Sequence, residues 1–324
     1  MYKFAVIGVG GLGSRYIQSL ASLKVDAVVF AVDLSDDSLN KSKQLFDSMN
    51  PADNVELRLC HNIDELDEEI DIAAIATTSK PRRALTEQLL NGKKVKYLIL
   101  EKVLFTELAD YEAVGNLIKE KNVKTWINCS RRLFPFFKRL QDEFAGRNVR
   151  FVLSGGLWGI GCNSVHYIDL IDYITNNSNG IEIYTDKIDN EIISSKRGGY
   201  IEFTGTLEGK TDKCDYFALT SSPEKMYVSS YTISAKDKVC VVNESQQKAY
   251  LFKAENNWNP EELEVKAYYQ STITSQLFEQ IASTGDCLLP DYETACREHI
   301  PFLTAMLDFI NKDKEEKVKS CPIT

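Results

Sequence analysis

Short apolar runs alternate with segments of helical periodicity over the first 128 residues. A strand shows as a short apolar run, and a helix as apolar positions three or four residues apart. Strands are predicted at 3–7, 27–32, 55–59, 71–77, 97–101 and 123–128, and helices at 14–23, 37–48, 64–69, 81–92 and 107–120. Strands that alternate with helices at this spacing predict an α/β domain with a parallel sheet wound on both faces.

From about residue 148 the pattern changes to short segments in which apolar and polar residues alternate. Strands are predicted at 150–158, 200–209, 215–221, 225–234, 238–244 and 248–255, and a helix at 164–175 precedes most of them. This order predicts an α+β domain with an open, mainly antiparallel sheet about six strands wide and covered on one face. The uncovered face is expected to pair with another copy of the chain in a homodimer or homotetramer.

The composition agrees with two folded domains, expected at 1–125 and 126–324. The chain has 324 residues, 44% of them hydrophobic, and this length exceeds what one hydrophobic core usually organises. The formal net charge of −9 argues against nucleic-acid binding, which needs a basic face. No apolar run is long enough to span a membrane, and the start MYKFAVIGVG lacks the layout of a signal peptide. We therefore expect a cytoplasmic protein whose partners are small molecules.

The cysteines and histidines argue against disulfides and metal. The eight cysteines include no CxxC pair and lie mostly inside predicted strands and helices, which fits reduced thiols used as small hydrophobic residues. The three histidines, His61, His166 and His299, are far apart in sequence. Cys162, His166 and Asp169 share one helical stripe and could supply three metal ligands, but they lack the spacing of a known motif. We expect no metal.

A glycine-rich turn follows the first strand and leads into the first helix. Its residues are Gly8, Gly10, Gly11, Leu12 and Gly13, in the pattern GxGxxG. The first glycine permits the tight turn, the second lets backbone amides approach a pyrophosphate, and the third lets the helix pack on the strand. Asp33 ends the second strand, where a carboxylate accepts hydrogen bonds from the adenosine ribose. This combination predicts a dinucleotide-binding Rossmann domain; the alternative is a glycine turn in an unrelated α/β protein.

The cofactor is expected to be NAD, because the 2′-phosphate of NADP would meet the Asp33 carboxylate. Leu34 and Ser35 offer no arginine to pair with that phosphate, although Lys41 leaves NADP as an alternative. Ligands of such sheets bind beyond the carboxyl ends of the strands. Four residues at the ends of the fourth and fifth strands are therefore predicted to line the cofactor site: Thr77, Thr78, Glu101 and Lys102.

Four longer motifs follow one another along the chain. They are GKKVKYLILEK (92–102), NCSRRLFPFFKRL (128–140), CNSVHYID (162–169) and GDCLLPDYETACREH (285–299). In this order they resemble the GKHVLCEKP, NRRFDP, D-x-G-x-H-x-x-D and G-x-x-L-P-T-x-E signatures of the Gfo/Idh/MocA oxidoreductases, the glucose-fructose oxidoreductase and inositol dehydrogenase family. The resemblance implies an NAD(P)-dependent enzyme acting on the CH–OH group of a sugar, cyclitol or nucleotide-sugar. It also implies a homo-oligomer and a catalytic role for Lys102.

Two positions depart from the pattern of that family. Val103 stands where the family usually has a proline, often a cis one, so the bend that presents Lys102 is expected to be built differently. Cys162 replaces the first aspartate of the helix motif and Ser164 replaces its glycine, whereas His166 keeps its place. These departures leave open a second function, that of a nucleotide-binding regulator or scaffold that has kept the fold and lost turnover.

Hydride transfer at a carbinol carbon needs a group that moves the hydroxyl proton. Lys102 and His166 are the candidates, with Asp169 one helical turn along to fix the imidazole tautomer. The alternative for Lys102 is an exposed lysine in a turn without a catalytic role. The alternative for His166 is a core histidine that is hydrogen-bonded to Asp169 or to a backbone carbonyl. The substrate is expected between Lys102 and the helix that begins near Cys162. Weaker candidates for substrate contacts are Arg132, Trp158, Asn163, Tyr269 and Gln270.

Overall fold

The computed structural model describes residues 1–177, 179–224 and 229–324. The chain divides into two compact units. Unit 1 comprises Met1–Phe105, Ala109–Asn128 and Tyr268–Tyr292, and unit 2 comprises Thr106–Leu108, Cys129–Ala267 and Glu293–Thr324. Unit 1 therefore includes a late segment, Tyr268–Tyr292, that lies within the range expected for the second domain.

Unit 1 contains a parallel sheet with helices between its strands. In chain order the elements are β1 (Tyr2–Ile7), α1 (Gly13–Leu20), β2 (Ala27–Val32), α2 (Asp36–Asp47), β3 (Val55–Cys60), β4 (Glu69–Ile75), α3 (Ser79–Gly92), β5 (Lys94–Leu100), α4 (Leu108–Glu120) and β6 (Lys124–Ile127). The strand order is β3-β2-β1-β4-β5-β6, and every pairing in this sheet is parallel. This is the order of a doubly wound dinucleotide-binding sheet, so the predicted Rossmann class is confirmed.

The later elements are four helices, a second sheet and a small two-stranded sheet of β9 and β10. They are α5 (Pro135–Phe144), β7 (Val149–Gly156), α6 (Ile160–Thr175), β8 (Glu182–Ile188), β9 (Ile193–Ser194), β10 (Ile201–Glu202), β11 (Gly205–Lys210), β12 (Cys214–Ser222), β13 (Ser230–Ala235), β14 (Lys238–Asn243), β15 (Lys248–Lys253), β16 (Glu261–Glu264), α7 (Gln270–Thr284) and α8 (Tyr292–Asn311). The sheet of unit 2 has the order β16-β15-β14-β13-β7-β12-β11-β8. Only the pairing of β7 with β12 is parallel among the described strands of this sheet, so the predicted open, mainly antiparallel sheet is confirmed.

Two details of the prediction are wrong. No helix forms at 64–69, because a short 3₁₀ turn at Ile63–Glu65 is followed by β4, and this acidic segment has no apolar helical face to bury. The second sheet also has eight strands rather than about six. The added strands β8 and β16 are its edges, and their many charged residues hide the alternation that marks a strand. Of the strand predicted at 225–234, residues 225–228 lie outside the described residues.

The two faces of the second sheet differ in exposure. Along β7, buried Phe151 and Leu153 alternate with exposed residues such as Val152. Val152 pairs in register with Thr232 of β13, Thr232 pairs with Val241 of β14, and Val241 pairs with Tyr250 of β15. Directly paired residues share a face. The exposed face therefore carries an apolar row in which Val152, Val241 and Tyr250 are 44%, 37% and 38% exposed.

Neither a membrane span nor a disulfide occurs in the described part of the chain. None of its helices is both long enough and apolar enough to cross a membrane. The cytoplasmic location expected from the sequence stays a prediction. The eight cysteines, all of them described, form no disulfide. Burial raises the pKa of Cys214 and of Cys240 to about 12, which keeps both thiols protonated, as expected of cysteines used as small hydrophobic residues.

Candidate functional site

The glycine turn of unit 1 requires glycine at two positions. Gly8 has a φ of +86°, in the left-handed region, and a Cβ added there would lie 2.4 Å from Thr77 Cγ2. A Cβ added at Gly13 would lie 1.9 Å from the carbonyl oxygen of Gly8. The start of α1 thus packs directly on the end of β1, which is the arrangement expected for the first and third glycines of the motif.

The rest of the turn is open. A Cβ added at Gly10 or Gly11 would meet no atom within 4 Å, and Leu12 gives the start of α1 no side-chain cap. Thr78 precedes α3 and also makes no side-chain cap hydrogen bond. The hydroxyl oxygen of Thr77 is buried without a hydrogen-bond partner among the described residues. Because backbone amides at a helix start attract phosphate, these residues fit the pyrophosphate of a dinucleotide.

Asp33 lies directly after β2 and is half-buried. Its Oδ1 accepts a hydrogen bond from the backbone N–H of Ser35 at 3.0 Å, which orients the carboxylate. The intervening residue, Leu34, is 87% exposed. The end of β2 therefore offers an oriented carboxylate and no neighbouring arginine, which suits the ribose hydroxyls of NAD.

Glu101, directly after β5, is buried, with 4% of its surface exposed. Its Oε1 accepts hydrogen bonds from the Tyr16 hydroxyl at 2.5 Å and from Asn128 Nδ2 at 2.6 Å. Asn128 Nδ2 also donates to Gln270 Oε1 at 2.9 Å. Burial, together with the negative charge of Glu101, raises the pKa of Tyr16 and so keeps its hydroxyl a donor. Glu101 and Gln270 thus share the Asn128 amide within unit 1, and the contacts with cofactor and substrate predicted for them stay predictions.

Arg82 supports the turn that carries Lys102. Its side chain is buried and donates hydrogen bonds to the carbonyl oxygens of Val103, Leu104 and Thr77. The Lys102–Val103 peptide bond is cis, so the bend keeps the cis form although Val103 is not a proline, contrary to the expectation of a different build. Lys102 is half-buried. Nothing in the sequence pattern singles out Arg82, because an arginine in a helix is usually exposed.

Helix α6 carries the predicted stripe, but its residues differ in exposure. Cys162 and His166 are half-buried, whereas Asp169 and Tyr173 are buried. Asp169 Oδ1 accepts a hydrogen bond from Arg132 Nε at 2.7 Å, and Asp169 Oδ2 has no hydrogen-bond partner among the described residues. The predicted Asp169–His166 hydrogen bond is therefore wrong. The guanidinium takes the carboxylate because a charged donor forms the stronger hydrogen bond.

Three carboxylates hold Arg132, and its predicted contact with a substrate stays a prediction. Besides the bond to Asp169, Arg132 Nη2 lies 2.6 Å from Asp172 Oδ2 and 3.3 Å from Glu298 Oε1. Burial raises the pKa of Asp169 to about 7 and the pKa of Glu298 well above its ordinary value. With one guanidinium for three acids, the cluster retains a proton near neutral pH. Among the described residues no group of three or more His, Cys, Asp or Glu is placed to hold a metal ion.

Arg131 forms a separate, half-buried cluster. Its Nη2 lies 3.2 Å from Glu244 Oε2, and its guanidinium carbon lies 4.8 Å from the centroid of the Tyr167 ring in α6. The Tyr231 hydroxyl donates to Glu244 Oε1 at 3.1 Å. No motif could have indicated this cluster, because its members come from distant parts of the chain.

Unit 2 has a cavity of about 490 Å³ beside the first turn of α6. Of the residues predicted to contact substrate, Trp158 and Asn163 line it, and His166 and Arg132 do not. Asn163 Nδ2 donates to the Trp158 carbonyl oxygen at 2.5 Å, and the Trp158 indole N–H donates to a backbone carbonyl at 2.7 Å, so both side chains are held in place. Tyr269, the remaining candidate, belongs to unit 1 and is 66% exposed. A cavity of this volume is typical of small-molecule sites.

Comparisons with known proteins relate this geometry to a family. Residues 2–129 match the Gfo/Idh/MocA family, described as an oxidoreductase family with an NAD-binding Rossmann fold. No curated protein matches the chain.

Solved structures share the fold over nearly the whole chain. The UDP-N-acetylglucosamine 3-dehydrogenase GnnA from Acidithiobacillus ferrooxidans has a TM-score of 0.69 and 14% identity, covering 94% of this chain and 96% of that one. A Gfo/Idh/MocA family oxidoreductase from Vibrio cholerae has a TM-score of 0.69 and 14% identity, covering 96% and 99%. The super-repressor mutant of Gal80p from Saccharomyces cerevisiae has a TM-score of 0.69 and 13% identity, covering 96% of each chain. Residues 2–129, which contain the GxGxxG turn and Asp33, thus match the NAD-binding Rossmann domain of the Gfo/Idh/MocA oxidoreductase family, as the sequence resemblance predicted.

Proposed function

We propose that the protein is an NAD(P)-dependent oxidoreductase that transfers a hydride between the nicotinamide and a carbinol carbon of a sugar, cyclitol or nucleotide-sugar. The family match of residues 2–129 carries this proposal. The cavity of unit 2 supports it, since its volume suits a small molecule and its wall includes an aromatic ring and polar side chains. The fold shared with a UDP-N-acetylglucosamine dehydrogenase supports the sugar substrate class.

The chain's own part in the reaction is to bind both reactants and to move a proton. The cofactor, when bound, accepts or supplies the hydride. Lys102 and His166 are the residues proposed to exchange the hydroxyl proton, since an ammonium and an imidazole can each hold or release it. Hydrogen bonds from Arg82 fix the turn that follows Lys102. Because Asp169 Oδ1 accepts a hydrogen bond from Arg132 Nε, Asp169 is proposed as a support of unit 2 rather than as the residue that sets the His166 tautomer.

Absorbance at the reduced-nicotinamide band, measured with NAD against a panel of sugars, cyclitols and UDP-sugars, tests the proposal. Turnover of at least one panel member is the expected result. NAD binding without turnover across the whole panel would favour the alternative, a regulator that has kept the fold. That alternative has its support in Cys162, which replaces an aspartate, and in the fold shared with Gal80p.

NAD is proposed as the preferred cofactor. The Asp33 carboxylate, oriented by the Ser35 N–H, would repel the 2′-phosphate of NADP. Titration of both cofactors under the same salt conditions should give the lower Kd for NAD, and a lower Kd for NADP would contradict the assignment.

A homodimer or homotetramer is proposed as the assembled form. The apolar row of Val152, Val241 and Tyr250 lies on the exposed face of the second sheet, and symmetric pairing of two copies would bury it. Light scattering at micromolar concentration should give at least twice the mass of one chain. A stable monomer would contradict this assignment.

A further inference from the structure

The backbone before Lys102 is held through the side chain of Glu101. Tyr16 and Glu101 are both buried. The Tyr16 hydroxyl donates to Glu101 Oε1 at 2.5 Å, and Asn128 Nδ2 donates to the same oxygen at 2.6 Å. Tyr16 lies in the first turn of α1, the helix that begins at Gly13. This contact therefore joins the helix of the glycine turn to the residue that precedes Lys102.

The backbone after Lys102 is held by Arg82 of α3. Its buried side chain donates from Nη1 to the carbonyl oxygens of Val103 and Leu104, the second at 2.7 Å. Its Nη2 donates to the carbonyl oxygen of Thr77, just beyond the end of β4. A guanidinium has several donors in a fixed planar arrangement, so one side chain can hold three carbonyl groups together. The turn after β5 is thus tied to the end of the neighbouring strand β4.

Arg82 and Glu101 place opposite charges in the same buried region as the Tyr16 hydroxyl. Burial and the negative charge of Glu101 raise the pKa of Tyr16, and the positive charge of Arg82 opposes that rise. Apolar side chains of similar volume often stabilise a fold as well as buried charges do, so stability alone does not explain these groups. Their hydrogen bonds converge on the residues on either side of Lys102.

We infer that Tyr16 and Arg82 are positioning residues that hold Lys102 at a fixed place relative to the glycine turn. Tyr16 acts through Glu101, and Arg82 acts through the carbonyl groups of the turn after β5. The inference rests on the proposed function, in which Lys102 exchanges the hydroxyl proton. A proton-transfer group acts only within hydrogen-bond reach of its target, and a misplacement of about 1 Å can lower the rate about a hundredfold. Loss of either contact should therefore lower kcat while NAD affinity stays nearly unchanged.

Tyr16→Phe tests the first contact, because it removes the hydroxyl and keeps the ring. Tyr292→Phe is the matched control, since the buried Tyr292 hydroxyl donates to the Tyr111 carbonyl oxygen of α4 at 2.8 Å. Each variant loses one buried hydrogen bond, so thermal denaturation should show similar losses of stability.

Steady-state kinetics distinguish the two tyrosine variants. With a substrate that the protein turns over, kcat should fall about ten- to a hundredfold in Tyr16→Phe and less than about twofold in Tyr292→Phe. A fall in kcat with KM and the Kd for NAD unchanged indicates a contact that matters to the reaction rather than to binding. Equal kcat values in the two variants would overturn the inference.

Arg82→Lys tests the second contact. A lysine keeps the charge but lacks the planar set of donors that reaches carbonyl groups at two strand ends. Arg83→Lys, at the next position of α3, is the matched control, because Arg83 pairs with Glu87 and Asp110. The kcat should fall about tenfold or more in Arg82→Lys and less than about twofold in Arg83→Lys. Equal values would remove Arg82 from the positioning role, and if Arg82→Lys does not fold, Tyr16→Phe decides.

Chemical labelling of lysines gives a readout that needs no turnover. Acetic anhydride acetylates accessible amines, and mass spectrometry of the resulting peptides compares Lys102 with Lys96, an exposed lysine of β5. Because Lys102 is half-buried, release of its turn should raise its labelling rate relative to Lys96 severalfold in Tyr16→Phe. The ratio should keep its wild-type value in Tyr292→Phe. An unchanged ratio in Tyr16→Phe would overturn the inference.

The two measurements separate this inference from the proposed function. A raised Lys102 labelling ratio in Tyr16→Phe, without turnover of any panel member, would keep the hold on Lys102 and remove the dehydrogenase. Turnover that persists at the wild-type kcat in Tyr16→Phe would keep the oxidoreductase and overturn the positioning role.

Discussion

The two units present their candidate site residues in different ways. In unit 1 the glycine turn, Asp33 and the turn after β5 all lie at the carboxyl ends of parallel strands, so the backbone alone brings them to one edge of the sheet. In unit 2 the side chains around α6 are positioned by partners from distant segments, as when Arg132 reaches Asp169 and Glu298. A short motif thus identifies a site built by the backbone, whereas a site built by side-chain pairs depends on the tertiary structure.

The largest effect on turnover is expected when the proposed proton-transfer residue of either unit is removed. Lys102→Ala and His166→Ala should each lower turnover by about 10²–10⁴-fold, because each removes a proton-transfer group. NAD affinity should stay nearly unchanged. Steady-state kinetics and NAD titration provide the measurement, and Lys96→Ala, at an exposed lysine of β5, is the matched control for Lys102. Full activity in His166→Ala would show that His166 has only a structural role and that the proton-transfer group belongs to unit 1.

Next in size is the loss of the buried guanidinium in unit 2. Arg132→Ala would leave Asp169, Asp172 and Glu298 without their cation, and it should lower the free energy of unfolding by about 3–5 kcal/mol. Arg139→Ala removes an arginine whose side chain is 46% exposed and should cost less than about 1 kcal/mol. Urea denaturation measures both. Similar losses in the two variants would mean that the Arg132 cluster is not a central support of unit 2.

Substitutions at two glycines of unit 1 should distinguish an effect on stability from an effect on NAD binding. Gly13→Ala would place a Cβ 1.9 Å from the Gly8 carbonyl oxygen, and it should lower stability by about 1–3 kcal/mol. Gly10→Ala meets no atom within 4 Å, so stability should change by less than about 0.5 kcal/mol while NAD affinity falls. Thermal denaturation and NAD titration test the pair. Native NAD affinity in Gly10→Ala would exclude Gly10 from the cofactor site.

The smallest effect is a pH dependence of stability from unit 2. The pKa of Asp169 is about 7 in the folded protein against an ordinary 3.8, so the folded state binds the proton more tightly. The resulting stabilisation is complete below the ordinary pKa and is lost as pH rises through about 7, and Glu298 acts in the same direction. The free energy of unfolding should therefore fall more between pH 5 and pH 8 in the wild type than in Glu298→Gln. Equal falls in urea denaturation would show that the titration arises elsewhere.

The sequence predicted buried strands more accurately than exposed edge strands. The strand predicted at 27–32 is β2, Ala27–Val32, because a strand buried on both faces is an unbroken apolar run. The edge strands β8 and β16 carry charges that protect open edges from pairing, and these charges remove the apolar alternation. Long buried strands are therefore predictable from one sequence, and charged edge strands are not.

For the candidate site, the sequence could not show which side chains form hydrogen bonds with each other. Gly8 and Gly13 were predictable because each has a backbone role at a fixed position of one motif. The partner of Asp169 was not, since His166 lies in the same helix whereas Arg132 lies 37 residues away along the chain, and only the tertiary packing decides between them. The same limit applies to Glu101, whose partner Tyr16 comes from a helix 85 residues earlier.

Helix α7 makes unit 1 discontinuous along the chain. The Ser275 N–H donates to Ser19 Oγ at 3.0 Å, and the Phe278 and Phe4 rings lie 5.3 Å apart, so α7 packs on α1 and the first sheet. The ribosome releases the chain from its N-terminus, and every strand of unit 2 emerges before α7 does. During synthesis unit 1 therefore keeps part of its apolar surface uncovered until most of the chain has been made. A gene truncated after residue 128 would encode a domain without its closing helix, and its product should aggregate where the full-length protein folds.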